Sequence, residues 1–310
     1  MSFAFIFPGQ GSQSVGMLAE LAESHTVVTE TFAEASAALG YDLWKLVQEG
    51  PAEDLNQTDR TQPAMLTAGV ACWRVWQQQG GAMPTMMAGH SLGEYTALVC
   101  SGAMSLTNGA SLVADRGRFM QEAVIAGEGA MAAVLGMEDD AVIAVCADAA
   151  EGDVLAAVNF NSPGQVVIAG NTAAVERATV LAKERGAKRA IVLPVSVPSH
   201  CSLMLPAAEK LQERLASINI TTPNVAVINN VDVATPNDAE QIKAALVKQL
   251  SNPVRWVETI NRLSNDGIDT VVECGPGKVL AGLNKRINKE FPAYPLFDNA
   301  SLSAALENNK

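Results

Sequence analysis

What this chain lacks narrows its class first. Its five cysteines, Cys72, Cys100, Cys146, Cys201 and Cys274, are odd in number and form no C-x-x-C pair. That spacing excludes a disulfide framework and a cysteine metal site, and it favours reduced thiols in a cytoplasmic setting. No apolar run approaches the roughly 18 residues needed to span a bilayer. The opening segment, Ser2-Phe3-Ala4-Phe5-Ile6-Phe7-Pro8, has no basic region ahead of it and stops too early for a signal peptide. Positive charge is scarce as well: 21 Lys and Arg against 33 Asp and Glu leave a net charge of −12. Such a surface repels nucleic acid and anionic membrane. Histidine is limited to His25, His90 and His200, which restricts the choice of a general base. There is no internal repeat and no low-complexity segment.

What is present reads as an ordered globular protein, with 48% hydrophobic and 17% charged residues among 310. That length makes one large domain or two smaller ones. Gly89-His90-Ser91-Leu92-Gly93 matches G-x-S-x-G, in which a serine sits on a tight turn between a strand and a helix. The context agrees: Pro84 to Ala88 is an apolar run of strand length, and Leu92 to Cys100 is rich in small and apolar residues. The plainer alternative is a glycine-rich turn carrying an idle serine.

Phe3 to Phe7 reads as a buried first strand, ended by Pro8-Gly9-Gln10-Gly11-Ser12-Gln13. The dinucleotide fingerprint G-x-G-x-x-G fails here, because Ser14 stands where its third glycine belongs. What remains is a loop with a glutamine at the edge where ligands of open α/β sheets gather, or an ordinary tight turn. Gly275-Pro276-Gly277-Lys278 is not a phosphate-binding loop, for it lacks the first glycine and the Ser/Thr after Lys.

Helical periodicity marks Met17 to Leu21, Val27 to Ala35 and Leu106 to Val124, and a helix opened by Gln62-Pro63 with Pro in its first turn. Arg116 falls near the apolar stripe of the 106–124 helix, where a salt bridge or a snorkelling stem accounts for it. From Gly129 the texture changes. Strands at 131–135, 154–160, 165–169 and 190–193, with helices at 139–149 and 172–185 and a turn at Asn161-Ser162-Pro163-Gly164, give the order β-α-β-β-α-β. That is the ferredoxin-like unit, inserted as residues 127–196 in a larger α/β domain made of 1–126 and 197–310. The Pro194-to-Pro198 segment leads back. Just beyond it, His200 is the base candidate by elimination, since His90 on a strand points away from Ser91 and His25 lies among polar residues. Alternation then resumes, with helices at 204–215, 239–250, 254–263 and 279–287 and strands at 225–229, 270–273 and 294–297.

Phe7-Pro8-Gly9-Gln10-Gly11-Ser12-Gln13, Gly89-His90-Ser91-Leu92-Gly93-Glu94, Arg116-Gly117, Pro198-Ser199-His200 and Glu273-Cys274-Gly275-Pro276-Gly277 follow one another in this order. Together they closely resemble the malonyl-CoA:acyl carrier protein transacylase family of bacterial fatty-acid synthesis, over essentially the whole chain. The resemblance implies an α/β-hydrolase-like large domain with a parallel-sheet core. It implies that Ser91 takes a malonyl group from coenzyme A as an ester and passes it to the phosphopantetheine thiol of acyl carrier protein. His200 is then the base, and the backbone N–H groups of Gln10 and Leu92 form the oxyanion hole. Arg116 holds the malonyl carboxylate. A backbone carbonyl near Gln249 orients the histidine, with no Asp or Glu as third member, and Gln62 and Asn161 resemble pocket-lining positions.

No cofactor or metal is implied, since coenzyme A enters as part of a substrate, and the protein is expected to be a cytoplasmic monomer. Because carrier proteins of this pathway are acidic, docking needs a local basic patch. Lys183, Arg185, Lys188 and Arg189 offer one; Lys285, Arg286 and Lys289 offer another, and either can be a solvated helix face. Two other readings stay open on the residues: a serine thioesterase or carboxylesterase, which ends the same acyl-enzyme in water, and a non-catalytic scaffold.

Overall fold

The computed structural model describes residues 2–195 and 197–309. Strand β1 (Phe3–Phe7) is buried at every position, and its side chains alternate between two cores. Phe3, Phe5 and Phe7 enter one with Trp73 and Trp76, while Ala4 and Ile6 enter the other with Trp256 and Ile260. A strand covered on both faces must be apolar on both, which is why FAFIF shows no polar alternation. The other strands are β2 (Met86–Gly89), β3 (Gly129–Leu135), β4 (Leu155–Ser162), β5 (Gln165–Asn171), β6 (Arg189–Val192), β7 (Ala226–Ile228), β8 (Thr270–Cys274) and β9 (Ala293–Leu296).

Two sheets result. The larger runs β7-β2-β1-β8-β9 with every pairing parallel, and the smaller runs β4-β5-β3-β6 with every pairing antiparallel. Phe7 is in register with Gly89, and Ile6 with Glu273. The loops after β1, β2 and β8 therefore leave the same sheet edge together, and a crevice forms there. The smaller sheet packs helices Asp139–Ala150 and Thr172–Glu184 over a core of its own, which includes Val134, Val142, Ile168 and Val175. It is tied to the larger unit where Val254 N–H donates to Val158 O at 2.8 Å and Phe160 N–H donates to Val254 O at 3.0 Å.

Some sequence expectations shift. The helix expected to open at Gln62-Pro63 starts at Thr58 and runs to Gln78, so Pro63 lies inside it. Its packing, buried without a break from Thr61 to Trp73, outweighs the one backbone bond that Pro63 omits. Asn161 and Ser162 belong to β4 and not to the turn, which is Pro163-Gly164 alone, with Gly164 at φ +71°. Helices Leu43–Glu49, Ala52–Leu55 and Asn299–Asn308 were not expected, being short or weakly patterned. Of the segment leading back from the smaller unit, Ser196 lies outside the described residues. All five cysteines are free and buried, and no helix among the described residues is long and apolar enough to cross a membrane.

Candidate active site

The turn after β2 is set by two close approaches. A Cβ on Gly89 would lie 1.9 Å from the Gly93 carbonyl carbon, and one on Gly93 would lie 2.0 Å from Phe7 O. Helix Leu92–Cys100 can sit this tightly on β1 and β2 only because both positions are glycine. Between them Ser91 adopts φ +50°, ψ −105°, a conformation that a non-glycine residue holds only when its surroundings enforce it. Asn230 supplies that constraint. Its Oδ1 accepts from Ser91 N–H at 2.6 Å and its Nδ2 donates to Gly89 O at 2.6 Å, clamping both sides of the bend.

His200 arrives from the other end of the chain. Its N–H donates to Leu250 O at 3.0 Å, and its Nδ1 lies 2.8 Å from Gln249 O. Both acceptors belong to the last turn of helix Ala239–Ser251, where carbonyls have no intrahelical partner. Because a carbonyl only accepts, Nδ1 carries the proton, which leaves Nε2 bare. Nε2 lies 2.8 Å from Ser91 Oγ. The helix end favours a charged imidazole, but burial and then the Arg116 charge win, and they pull His200 down to about 3. A neutral imidazole placed in this way can take the serine proton. Since only the unprotonated ring accepts, activity should persist into acid: kcat/KM for acylation should stay level as pH falls through 6.5. A half-maximal point near the usual imidazole value would overturn that environment for His200.

Arg116, only 1% exposed, is inside the protein. Nη1 donates to Gln62 Oε1 at 2.7 Å, and Nη2 donates to Gln249 Oε1 at 2.9 Å and to Ser91 Oγ at 3.3 Å. Its Nε has no hydrogen-bond partner, and the guanidinium carbon stands 5.2 Å from the Tyr95 ring centroid. All three acceptors are neutral. A buried guanidinium so provided can bind an anionic ligand next to the serine. Neither a salt bridge nor a snorkelling stem describes this side chain.

Gln10 and Leu92 line the same cavity as Ser91, Arg116 and His200. Leu92 is the first residue of its helix, where backbone N–H groups lack intrahelical acceptors. Met131, Asn159, Leu193 and Val195 close the cavity from the smaller unit. Its volume, about 120 Å³, falls below the ~300–1,000 Å³ typical of drug-sized ligands. A short acyl unit fits inside; anything longer must extend outward. Asn161 meets His90 rather than the cavity wall, with Oδ1 2.8 Å from Nε2, while Gln62 reaches the site through Arg116.

Three contributors are not among the residues the sequence points to: Glu94, Asn230 and the side chain of Gln249. Glu94 is 2% exposed, and its Oε2 accepts from Asn230 N–H at 2.9 Å and from Gln249 Nε2 at 2.8 Å. Burial raises its carboxyl to about 7, against the opposing pull of those two donors and of Arg116. Its signal was a lone acid on an otherwise small and apolar helix, one turn after the serine.

Residues 4–295 match the family model described as acyl transferase domain. The chain is 60% identical over 304 residues to the malonyl CoA-acyl carrier protein transacylase of Salmonella typhimurium, covering 98% of each chain. It is 46% identical over 308 residues to the Bacillus subtilis protein of the same name, covering 99% of this chain and 97% of that one. Among solved structures it resembles an acyl carrier protein S-malonyltransferase from Vibrio cholerae, at 59% identity and TM-score 0.96, covering 98% of this chain and all of that one. It also resembles a malonyl-transacylase solved in complex with its type II PKS acyl-carrier protein, at 55% identity and TM-score 0.99 over the whole of both chains.

Proposed function

The chain belongs to the acyl transferase domain family, and from that membership we propose that it moves a malonyl group from coenzyme A to the phosphopantetheine thiol of acyl carrier protein. The observation that carries the substrate is Arg116, a buried cation held only by neutral acceptors and 3.3 Å from the serine oxygen. A malonyl group carries its carboxylate one methylene from the reacting carbonyl, so both ends fit one small cavity.

The proposed sequence has two halves. Ser91 gives its proton to His200 Nε2 while Oγ attacks the thioester carbonyl, and the oxyanion takes the N–H groups of Gln10 and Leu92. Collapse expels the coenzyme A thiolate, which receives the proton from His200 and leaves a malonyl ester on Ser91. The carrier thiol then enters, passes its proton to His200 and attacks the ester; Ser91 leaves with that proton restored. No cofactor or metal takes part. Gln249 O holds the Nδ1 proton throughout, so the ring needs no buried acid behind it. The thioesterase reading shares the first half, and the relatives described above, whose names include an acyl carrier protein, favour a thiol acceptor. Incubation with malonyl-CoA followed by intact mass and peptide mapping should place one malonyl group on Ser91. A label elsewhere, or none, refutes the mechanism.

The strand order β6-β3-β5-β4, with a helix after the first strand and after the third, supports a ferredoxin-like insert over 127–196 in an α/β-hydrolase-like domain of 1–126 and 197–310. Free, buried cysteines support a cytoplasmic protein, and we take it to be a monomer. The two basic clusters meet at one edge. Leu135 pairs with Arg189 on one side and Gln165 on the other, and Arg286 Nη1 donates to Gln165 Oε1 at 2.8 Å. Arg185 is instead engaged by Asp148 at 2.7 Å. We assign the carrier patch to Lys188, Arg189 and Arg286, all exposed. Arg189→Glu with Arg286→Glu should raise KM for the carrier about tenfold, more at low salt, and leave self-acylation by malonyl-CoA unchanged. Equal KM values would remove the patch from this role.

A further inference from the structure

We propose that Glu94 is a positioning residue: by fixing the Gln249 amide it sets the Arg116 guanidinium, and with it the preference for acyl groups that end in a carboxylate. The inference rests on the reading of Arg116 given above and deepens it.

An amide side chain has an accepting end and a donating end that differ little in shape, so its orientation is decided by its neighbours. Gln249 Oε1 accepts from Arg116, while Nε2 donates to Glu94 Oε2 at 2.8 Å and to Ser91 O at 3.0 Å. Rotation by half a turn would set donor against donor at Arg116 and acceptor against acceptor at Glu94 and Ser91. Glu94 and the Ser91 carbonyl therefore lock the amide together, and Glu94, the shorter of the two contacts, is buried with it. The second amide on Arg116 has no comparable restraint, since Gln62 Nε2 reaches only Met120 Sδ at 3.4 Å. Glu94 also accepts from Asn230 N–H, and Asn230 clamps the bend that carries Ser91. One carboxylate thus braces both the serine and the group that faces the substrate carboxylate, without touching substrate itself.

The test compares kcat/KM for acylation by malonyl-CoA and by acetyl-CoA in the wild type, Glu94→Asp, Glu94→Gln and Gln249→Met. Glu94→Asp keeps the acid group but withdraws the oxygens by about 1.5 Å, beyond hydrogen-bond reach. Its malonyl:acetyl ratio should fall at least tenfold, in line with the cost of misplacing a binding group by about 1 Å. Glu94→Gln retains an accepting oxygen in place and should stay within about threefold of the wild-type ratio. Gln249→Met keeps the backbone carbonyl that serves His200, deletes the amide, and should fall as far as Glu94→Asp; combining the two should fall no further.

A Glu94→Asp protein with an unchanged ratio, whatever its rate or melting temperature, would make Glu94 merely structural and overturn the proposal. So would Glu94→Gln falling with Glu94→Asp. If Glu94→Asp does not fold, Gln249→Met decides alone, and a wild-type ratio there overturns the proposal. A wild type without malonyl preference would instead refute the role of Arg116.

Discussion

Ser91→Ala and His200→Ala should each lower malonyl transfer about 10⁴–10⁶-fold, and the double variant should fall no further than the weaker single one. The reason lies in the geometry: 2.8 Å separates Oγ from Nε2, and 2.8 Å separates Nδ1 from Gln249 O. In the proposed mechanism neither group performs the step without the other. A serine hydroxyl without its base is a poor nucleophile near neutral pH, and an imidazole without the hydroxyl has nothing to activate. His200→Ala leaves the Gln249 carbonyl without its side-chain donor, at a cost of about 1–3 kcal/mol in stability. The loss of rate should exceed what that implies by several orders of magnitude. Single-turnover formation of the malonyl ester, followed by intact mass, gives the rate, and thermal melting gives the stability. Stoichiometric ester on Ser91→Ala, or effects of the two substitutions that multiply, would break the pairing.

The two residues lie 109 positions apart, yet each was legible in the sequence for its own reason. Ser91 announced itself because a strained bend demands glycines at fixed spacing, and such a local demand is written locally. His200 followed from scarcity, there being only three histidines to consider. Strands β1, β2 and β8 and helix Leu92–Cys100 were found within two residues of their ends, since continuous apolar runs report burial on both faces. Pro63 misled, because proline is a strong local signal for a helix start and only tertiary burial keeps that helix running through it.

The Asn-Ser-Pro-Gly context points Asn161 to a turn, although the hairpin needs only Pro163 and Gly164. The polar mesh was the hardest to see. Glu94, Asn230 and the Gln249 amide come from three separate segments and meet only at 2.6–3.0 Å in the folded chain. No periodicity encodes that meeting. Arg116 belonged to both worlds: its helix was plain, but its direction toward Ser91 was not, and the resemblance alone pointed there.

Arg116→Ala should reverse the acyl preference. A carboxylate held by a desolvated guanidinium is worth about 2–5 kcal/mol, so kcat/KM for malonyl-CoA should drop about 30- to 4,000-fold. Acetyl-CoA, which offers no carboxylate, should lose little. Arg116→Lys keeps the charge but loses the planar fork that reaches Gln62, Gln249 and a ligand together, so it should fall between wild type and alanine. The substitution also tests the electrostatics from a second side. Arg116 is one of the groups that pull His200 down; removing it should move the acid limb of the acylation profile to higher pH, toward the ordinary imidazole range. The two readouts are independent, one a ratio between substrates and the other a midpoint on the pH axis. If Arg116→Ala kept the wild-type malonyl:acetyl ratio, the buried cation would be a structural brace, and the substrate would have to be chosen elsewhere. If the ratio collapsed while the acid limb stayed put, Arg116 would hold the carboxylate without influencing the base.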